Sequence, residues 1–142
     1  MSSHKPAEPK EGTVPLILNH SPAIPLFFDF DNSIVEKISD KITRQYVIGS
    51  QGMLVKWMYK KGATIPLHFH PHEQITWITE GVAEVKSQGK TFIVKAGGVI
   101  IFPAFVPHEF FIPEDTINID IFSPVREDWF AHSEYYLKAG HK

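Results

Sequence analysis

The feature that most constrains the fold of this chain is a series of short β-forming segments separated by turn residues. Short strands with turn signals about every eight to twelve residues favour an all-β sandwich or barrel. One turn is a hairpin at Ser87-Gln88-Gly89-Lys90, where the glycine can adopt positive φ. The predicted strands are residues 53–59, 74–79, 82–86, 91–94, 99–102, 109–112 and 116–122.

The length and the ends of the chain predict one domain. The 142 residues suffice for a single ordinary domain, and no repeat or linker divides them. We expect a disordered polar tail over residues 1–12 and one domain over residues 13–142. Apolar positions 129, 130, 136 and 137 predict a short C-terminal helix over residues 129–138.

Composition excludes several classes of protein. With 14 Lys plus Arg against 16 Asp plus Glu, the chain lacks the positive charge of a nucleic-acid binder. No segment approaches the roughly 20 apolar residues of a membrane span, and residues 1–12 lack the apolar core of a signal peptide. We therefore expect a cytoplasmic protein without nucleic-acid or membrane partners. The absence of cysteine excludes disulfides and thiolate metal ligands.

Histidines carry the strongest chemical signal. Of the eight in the chain, three lie within residues 68–72. His68 and His70 project from the same face of a strand, about 6.5 to 7 Å apart at the backbone, and can converge on one metal ion. Gln74 has the same parity and can add an amide oxygen if the chain bends at Pro71. His108, which follows a proline-rich turn, is the candidate fourth ligand.

Two alternatives stay open around this cluster. His72 follows Pro71, which redirects the chain, so we expect it at the rim of the site. Glu73 has the opposite parity and is expected to point away, but it competes with Gln74 as the ligand. The remaining histidines lack a metal-ligand spacing and are interpreted as surface groups.

The two motifs resemble those of the cupin family. The first reads Gly62, five residues, His68-Phe69-His70, three residues, Gln74, six residues, Gly81. The second reads Gly97, five residues, Pro103-Ala104-Phe105, two residues, His108. Glutamine replaces the usual glutamate, Phe105 replaces a glycine, and Ile112 replaces an asparagine. The resemblance spans about residues 40–126 and implies a double-stranded β-helix, or jelly roll, with one divalent metal ion inside the barrel.

Within the cupins, the sequence is similar to the KdgF group, whose members convert unsaturated monouronates from pectin or alginate into linear keto forms. The likeness lies in residues 68–74, with glutamine as a ligand, and in residues 120–128. It implies that Asp120, Phe122 and Arg126 handle the substrate. It also implies a small anionic substrate.

The proposed ligands predict a strongly positive metal site. Three neutral imidazoles and an amide leave the 2+ charge of a divalent ion uncompensated, whereas a glutamate would reduce it to about 1+. Such a site favours carboxylates or enolates as ligands. A nitrogen and oxygen donor set suits Zn²⁺, Ni²⁺, Mn²⁺ or Fe²⁺.

Two charged side chains are candidates for catalysis. Asp120 lies on the pocket face of a predicted strand, where a nearby cation would lower its pKa and suit it to act as a base. The alternative is a structural salt bridge to Arg44 or Arg126. Arg126 can hold a substrate carboxylate in a bidentate fork, or it can pair with Glu127 or Asp128.

Aromatic residues and the chain's association complete the expectations. Tyr46, Trp57 and Trp77 are candidates to line the pocket with His72, although aromatic side chains in barrels usually belong to the core. The apolar segment 24–30 is expected to be an edge strand that mediates a homodimer, or an outer strand of the same barrel. No role is predicted for Arg44.

Three functions are compatible with these features. The first is a metal-dependent isomerase or lyase acting on unsaturated uronates or a similar small acid. The second is a metal-dependent dioxygenase, or another cupin isomerase, cyclase or lyase. The third is a metal-dependent small-molecule sensor that binds without turnover. The fold alone does not select among them.

Overall fold

The computed structural model describes residues 24–129, which form ten strands and two short 3₁₀ turns. The strands are β1 (Glu36–Ser39), β2 (Ile42–Ile48), β3 (Met53–Tyr59), β4 (Thr64–His68), β5 (Glu73–Glu80), β6 (Val82–Ser87), β7 (Lys90–Lys95), β8 (Val99–Phe102), β9 (His108–Phe111) and β10 (Thr116–Ser123). The turns are Phe30–Asn32 and Glu127–Trp129. Within this part of the chain, no helix is long and apolar enough to span a membrane.

The strands form two antiparallel sheets, in the orders β1-β2-β3-β10-β5-β8 and β4-β9-β6-β7. Both sheets contribute apolar side chains to one core, including Val55 and Ile78 from the first and Val85 and Phe110 from the second. This arrangement confirms the predicted all-β jelly roll. The core forms because alternate residues of each strand point inward, as in β3, where every second residue is buried.

The predicted strands match the observed ones within one residue at each end. The hairpin between β6 and β7 also follows the prediction, since Gln88 has φ 52° and Gly89 has φ 75°, as a two-residue turn of this kind requires. The structure also contains β1, β2 and β4, which were not predicted.

The expected edge strand at residues 24–30 is wrong. Residues 24–29 are irregular, and Phe30 begins a 3₁₀ turn. Asp29 favours the turn because its side chain accepts a hydrogen bond from the backbone N–H of Asp31 at 2.9 Å. This bond favours a local turn at Phe30–Asn32 over pairing with a neighbouring strand.

At the other end, the chain passes from β10 into the 3₁₀ turn Glu127–Trp129. The predicted helix over residues 129–138 lies outside the described residues except for Trp129, and the predicted tail over residues 1–12 lies outside them entirely. The extent of the domain beyond residues 24–129 stays a prediction.

Candidate metal centre

Two adjacent strands of the smaller sheet bring the three candidate histidines together. His68 ends β4 and His108 begins β9, and the two residues are direct cross-strand partners. His70 follows two residues after His68, where β4 has ended. The candidate ligand atoms of the three imidazoles all lie within 4.8 Å of one another, which is compatible with binding one ion.

Backbone carbonyls fix the orientation of each imidazole. The Nδ1 atom of His68 lies 2.8 Å from the carbonyl oxygen of Pro66, and that of His108 lies 2.8 Å from the carbonyl of Val106. His70 Nδ1 lies 3.1 Å from the carbonyl of His72. A carbonyl only accepts, so each Nδ1 carries the proton and each Nε2 presents a lone pair to the cluster. Metal-binding histidines are commonly oriented in this way.

Gln74 reaches the cluster from β5, in the opposite sheet. Its Oε1 lies 3.1 Å from His70 Nε2, while its Nε2 donates to Thr76 Oγ1 at 2.9 Å. Two electron-pair donors, Oε1 and the imidazole Nε2, therefore face each other. Their repulsion is relieved when a cation binds between them. Glu73 is exposed, whereas Gln74 is buried, so the amide and not the carboxylate faces the histidines.

The histidine cluster fits a divalent ion in two further respects. The Nε2 atom of His108 is buried without a hydrogen-bond partner among the described residues, which is costly unless something binds its lone pair. Burial, the largest cause, lowers the pKa of His68 and of His70 to about 3 and that of His108 to about 4. The imidazoles are therefore neutral at pH 7 and available as ligands.

Asp120 lies beside Gln74 in a network of neutral donors. Its Oδ2 accepts from Trp57 Nε1 at 2.9 Å and Gln74 Nε2 at 3.4 Å. Its Oδ1 accepts from Thr76 Oγ1 at 2.7 Å and Asn118 Nδ2 at 3.2 Å. The structure thus connects the carboxylate to the candidate ligand Gln74 through a single hydrogen bond.

The protein itself raises the pKa of Asp120 to about 6. Burial is the largest cause, and the hydrogen bonds from Thr76, Asn118 and Trp57, with the charge of Arg126, lower it in part. The sequence-based expectation of a lowered pKa considered only a nearby cation, and it left out burial, which acts in the opposite direction.

Arg126 is buried and lies in the same cavity as Asp120. Its Nε donates to Asp128 Oδ1 at 2.8 Å and its Nη2 to Oδ2 at 2.6 Å. The guanidinium carbon lies 4.9 Å from the centroid of the Phe122 ring. Arg126 was predicted to bind either a substrate carboxylate or a neighbouring acid. In the structure it pairs with a neighbouring acid, Asp128.

Arg44, which had no predicted role, is part of the core. Its Nε and Nη2 each lie 3.1 Å from an oxygen of Glu36, and its guanidinium carbon lies 3.8 Å from the centroid of Trp129. Within residues 24–129, the hydrogen bonds to the Asp120 carboxylate come from neutral side chains, and not from Arg44 or Arg126. Arg44 therefore stabilises the barrel wall behind the cavity.

The predicted pocket residues separate into three groups. Trp57 and Phe122 line the cavity, and His72 lies at its outer cleft. Tyr46 is buried in the core against Trp129, with ring centroids 5.2 Å apart, and is not among the cavity-lining residues. The expectation for Trp77 is wrong, because this side chain is 48% exposed on the outer face of β5.

The site has a narrow floor and a wide entrance. The inner cavity, next to His68, His108 and Asp120, has a volume of about 20 Å³, which is room for one water molecule. Outside it, a cleft of about 850 Å³ runs between residues 67–72, residue 107 and residues 126–128. A ligand larger than a few atoms would therefore lie mainly in the cleft, with one end pointing toward the histidines.

The glycine position that differs from the cupin motif retains the conformation of glycine. Phe105 has φ 68°, a region that costs a residue with a side chain about 1–2 kcal/mol. Its N–H donates to the carbonyl oxygen of His70 at 2.8 Å, and its side chain is exposed. This bond ties the proline-rich turn before His108 to the histidine segment.

Sequence reasoning missed Thr76 and Asn118 at this site. Thr76 and Asn118 could have been found by parity, since each lies two residues from an inward-facing residue of its own strand. The sequence did not choose between Glu127 and Asp128 as the partner of Arg126, because that choice depends on the turn after β10.

Comparison with known proteins shows the family to which the chain belongs. A cupin domain model matches residues 55–122. The pectin degradation protein KdgF of Dickeya dadantii (strain 3937) is 31% identical over 106 residues, covering 72% of this chain and 96% of that protein. The structure of KdgF from Halomonas sp. superposes with a TM-score of 0.69 at 28% identity, covering 73% of this chain and 99% of that one. An RmlC-like cupin from Shewanella frigidimarina NCIMB 400 gives a TM-score of 0.70 at 32% identity, with coverages of 75% and 96%.

A jelly roll that brings three histidines together, matched by the cupin domain model, defines a cupin with a candidate metal site. Within the cupins, the chain belongs to the KdgF-like group.

Proposed function

We propose that this protein is a metal-dependent enzyme that opens and tautomerises the ring of a small unsaturated uronate. One observation carries the proposal: two histidines of the cluster (His68 and His108), a buried carboxylate and a buried guanidinium all line one cavity. A KdgF-like relative that is named a pectin degradation protein supports a sugar acid as the substrate.

The metal would be held by His68, His70, Gln74 and His108. When bound, a divalent ion supplies Lewis acidity toward an oxygen of the substrate. Because all four donors are neutral, they leave its full positive charge in place, which favours an anionic substrate. The nitrogen and oxygen donors suit Zn²⁺, Ni²⁺, Mn²⁺ or Fe²⁺.

The reaction requires one proton to move and no net reagent. The bond between C1 and the ring oxygen breaks, the hydroxyl proton on C1 is removed, and C1 becomes an aldehyde. The ring oxygen remains on C5 as an enolate, which becomes a ketone when C4 gains a proton. A carboxylate that accepts the first proton and returns it to C4 balances the reaction, and Asp120, with a pKa of about 6, suits this exchange.

The remaining side chains orient the substrate. Arg126 at the boundary of cavity and cleft would bind the substrate carboxylate, and the ring of Phe122 would pack against the sugar. Trp57 lies on the cavity wall and donates to Asp120, so it holds the carboxylate toward the reacting carbons. His72 borders the cleft, and its Nδ1 is buried without a partner among the described residues. This nitrogen is suited to accept a hydrogen bond from a substrate hydroxyl.

The test measures turnover and metal content together. Purified protein, with its metal determined by elemental mass spectrometry, is incubated with unsaturated galacturonate and the product is followed by NMR. Asp120→Asn should reduce turnover by about 10²- to 10⁴-fold and leave metal content unchanged. Asp40→Asn, which changes an exposed acid paired with Lys37, is the matched control.

Loss of metal in Asp120→Asn would assign this residue to positioning Gln74 instead of proton transfer. Absence of turnover by the metal-loaded wild type, with unsaturated galacturonate and mannuronate alike, would contradict the proposed substrate class.

A second candidate is a metal-dependent protein that binds a small acid without turnover. The observation that favours it is that four donors occupy the oxygens of Asp120, which is about as many as a carboxylate accepts. This candidate predicts that calorimetric affinity for the acid survives Asp120→Asn and that no product forms.

We also propose a cytoplasmic homodimer. Its support is an apolar outer face on the larger sheet, where Trp77 pairs with Val99 and Ile75 pairs with both Ile101 and Ile121. All of these except Ile75 are exposed, and such patches are typical of interfaces. Light scattering should give twice the chain mass, and Ile101→Lys should give the monomer mass. A monomer mass for the wild type would contradict the proposal.

A further inference from the structure

The Arg126 and Asp128 pair has the geometry with which arginine binds a free carboxylate. Two hydrogen bonds, of 2.8 and 2.6 Å, join Nε and Nη2 to the two oxygens of one carboxylate. This arrangement is also the one a planar acid ligand would adopt. The Asp128 side chain is 28% exposed, whereas that of Arg126 is 2% exposed, so the carboxylate is the member of the pair that faces the cleft.

Arg126 is held in place by contacts that do not involve Asp128. Its guanidinium carbon lies 4.9 Å from the ring centroid of Phe122 and 5.3 Å from that of Trp129. Its backbone N–H lies 3.3 Å from the sulfur of Met53. The guanidinium should therefore keep its place in the cavity wall when the Asp128 carboxylate leaves.

The Asp128 carboxylate, by contrast, is held by a short element. It lies in the 3₁₀ turn Glu127–Trp129, whose backbone bonds are Glu127 N–H to Val125 at 3.0 Å and Trp129 N–H to Arg126 at 3.2 Å. A buried guanidinium without a counter-charge is strongly unfavourable. Exchange of one carboxylate for another avoids that cost, because both hydrogen bonds are remade.

We propose that Asp128 occupies a carboxylate-binding site on Arg126, and that the carboxylate of an acid entering the cleft displaces it. The identity of the acid rests on the proposed function, but the exchange itself does not. Asp128 then competes with every incoming acid for Arg126 and lowers its apparent affinity. An acid that contacts Arg126 alone competes poorly with a tethered carboxylate, whereas an acid that also reaches the histidine cluster displaces it. Asp128 is thus a residue that determines specificity.

The first arm of the test needs neither substrate nor metal. Thermal unfolding of the metal-free protein is followed in increasing sodium acetate, with sodium chloride holding ionic strength constant. Acetate should stabilise Asp128→Ala and Asp128→Asn in a saturable manner. The wild type should need about 10-fold more acetate for the same shift if Asp128 fills the site about 90% of the time.

Two controls make this arm specific. Glu127→Ala removes an exposed acid from the same turn and should respond like the wild type. Arg126→Lys combined with Asp128→Asn should lose the response, since lysine lacks the fork. Equal responses to acetate in all variants, or none in either Asp128 variant, would overturn the proposal. Asp128→Asn keeps the side-chain shape, so the test does not depend on Asp128→Ala folding.

The second arm uses turnover of the metal-loaded enzyme. Asp128→Asn should lower KM for the acid by about 5- to 10-fold with little change in kcat, because a competing group has been removed. A purely structural role would lower the active fraction and leave KM unchanged, and that result would overturn the proposal. If no uronate is turned over while the acetate response is seen, the proposed function fails and the carboxylate site stands.

Discussion

Gln74→Glu tests the donor set most directly, because it changes one atom of the site from an amide NH₂ to a carboxylate oxygen. In the wild type, Gln74 Nε2 donates to Thr76 Oγ1 at 2.9 Å and to Asp120 Oδ2 at 3.4 Å. The substitution places a second negative charge where a donor now faces Asp120. We expect the metal-free variant to be destabilised and the metal-bound variant to regain that stability.

The magnitude follows from the distance. Two unit charges 3.4 Å apart repel by about 5 kcal/mol at an effective dielectric constant of about 20. The pair can avoid this by keeping one proton, and the least costly place for it is Asp120, because protonating a carboxyl with a pKa of about 6 at pH 7 costs about 1.4 kcal/mol. The metal-free variant should therefore lose about 1–2 kcal/mol, which lowers Tm by about 5 °C.

The loss should depend on pH with a definite sign. A carboxyl whose pKa is raised on folding destabilises the protein above its unfolded pKa, since the folded state then holds a proton that the unfolded state has released. The deficit of the metal-free variant should therefore shrink as pH falls from 7 toward 5. The same additional charge attracts a divalent ion, so the Tm increase on adding Zn²⁺ should exceed that of the wild type.

The assay is thermal unfolding of protein treated with a chelator, with and without each candidate ion. Glu73→Gln is the matched control, since it makes the reverse change at the exposed neighbouring residue. It should alter neither stability nor the response to metal. The reasoning is refuted if Gln74→Glu behaves like the wild type in both respects, or if Glu73→Gln is the variant that loses the metal response.

The remaining predictions concern packing. Phe105→Gly should change the unfolding free energy by less than about 1 kcal/mol, because relief of positive φ, about 1–2 kcal/mol, is offset by the entropy of glycine; a larger loss in urea denaturation would show that the exposed ring is held by contacts. Trp57→Phe removes the N–H that donates to Asp120 and should cost about 1.5–3 kcal/mol, while a loss below 0.5 kcal/mol would mean that the bond is replaced. Arg44→Lys should cost about 2 kcal/mol through weaker stacking on Trp129, and an unchanged denaturation midpoint would contradict that contact's importance.

The histidine cluster could be predicted because its information is local. His68 and His70 share a strand face by spacing alone, and Gln74 retains that parity. The pairing of His68 with His108 is a long-range fact, yet the two glycine- and proline-bounded motifs imply it through the cupin resemblance. The backbone carbonyls that orient the rings are local too, since each lies two residues from its histidine.

The wrong and missing predictions have a common physical cause. The residue type alone does not determine which face of a strand a side chain occupies or which distant residue it contacts. Trp77 was expected in the pocket as an aromatic residue, yet its parity relative to buried Gln74 and Thr76 places it outside. Residues 24–30 are apolar but form no strand, because Asp29 caps a local turn. Strand β2 was missed because Arg44 interrupts its apolar pattern, and its burial depends on Glu36 and on the distant Trp129.

The histidine cluster and the carboxylate site on Arg126 therefore depend on different parts of the sequence. The histidines are oriented by their own neighbours, so the donor set does not depend on the turn at Glu127–Trp129. The Arg126 side chain, in contrast, takes its partner from that turn and its packing from Phe122 and Trp129. Substitutions in residues 124–128 should consequently change which acid binds without removing the metal. Substitutions at the histidines should remove the metal and leave the carboxylate site on Arg126 intact.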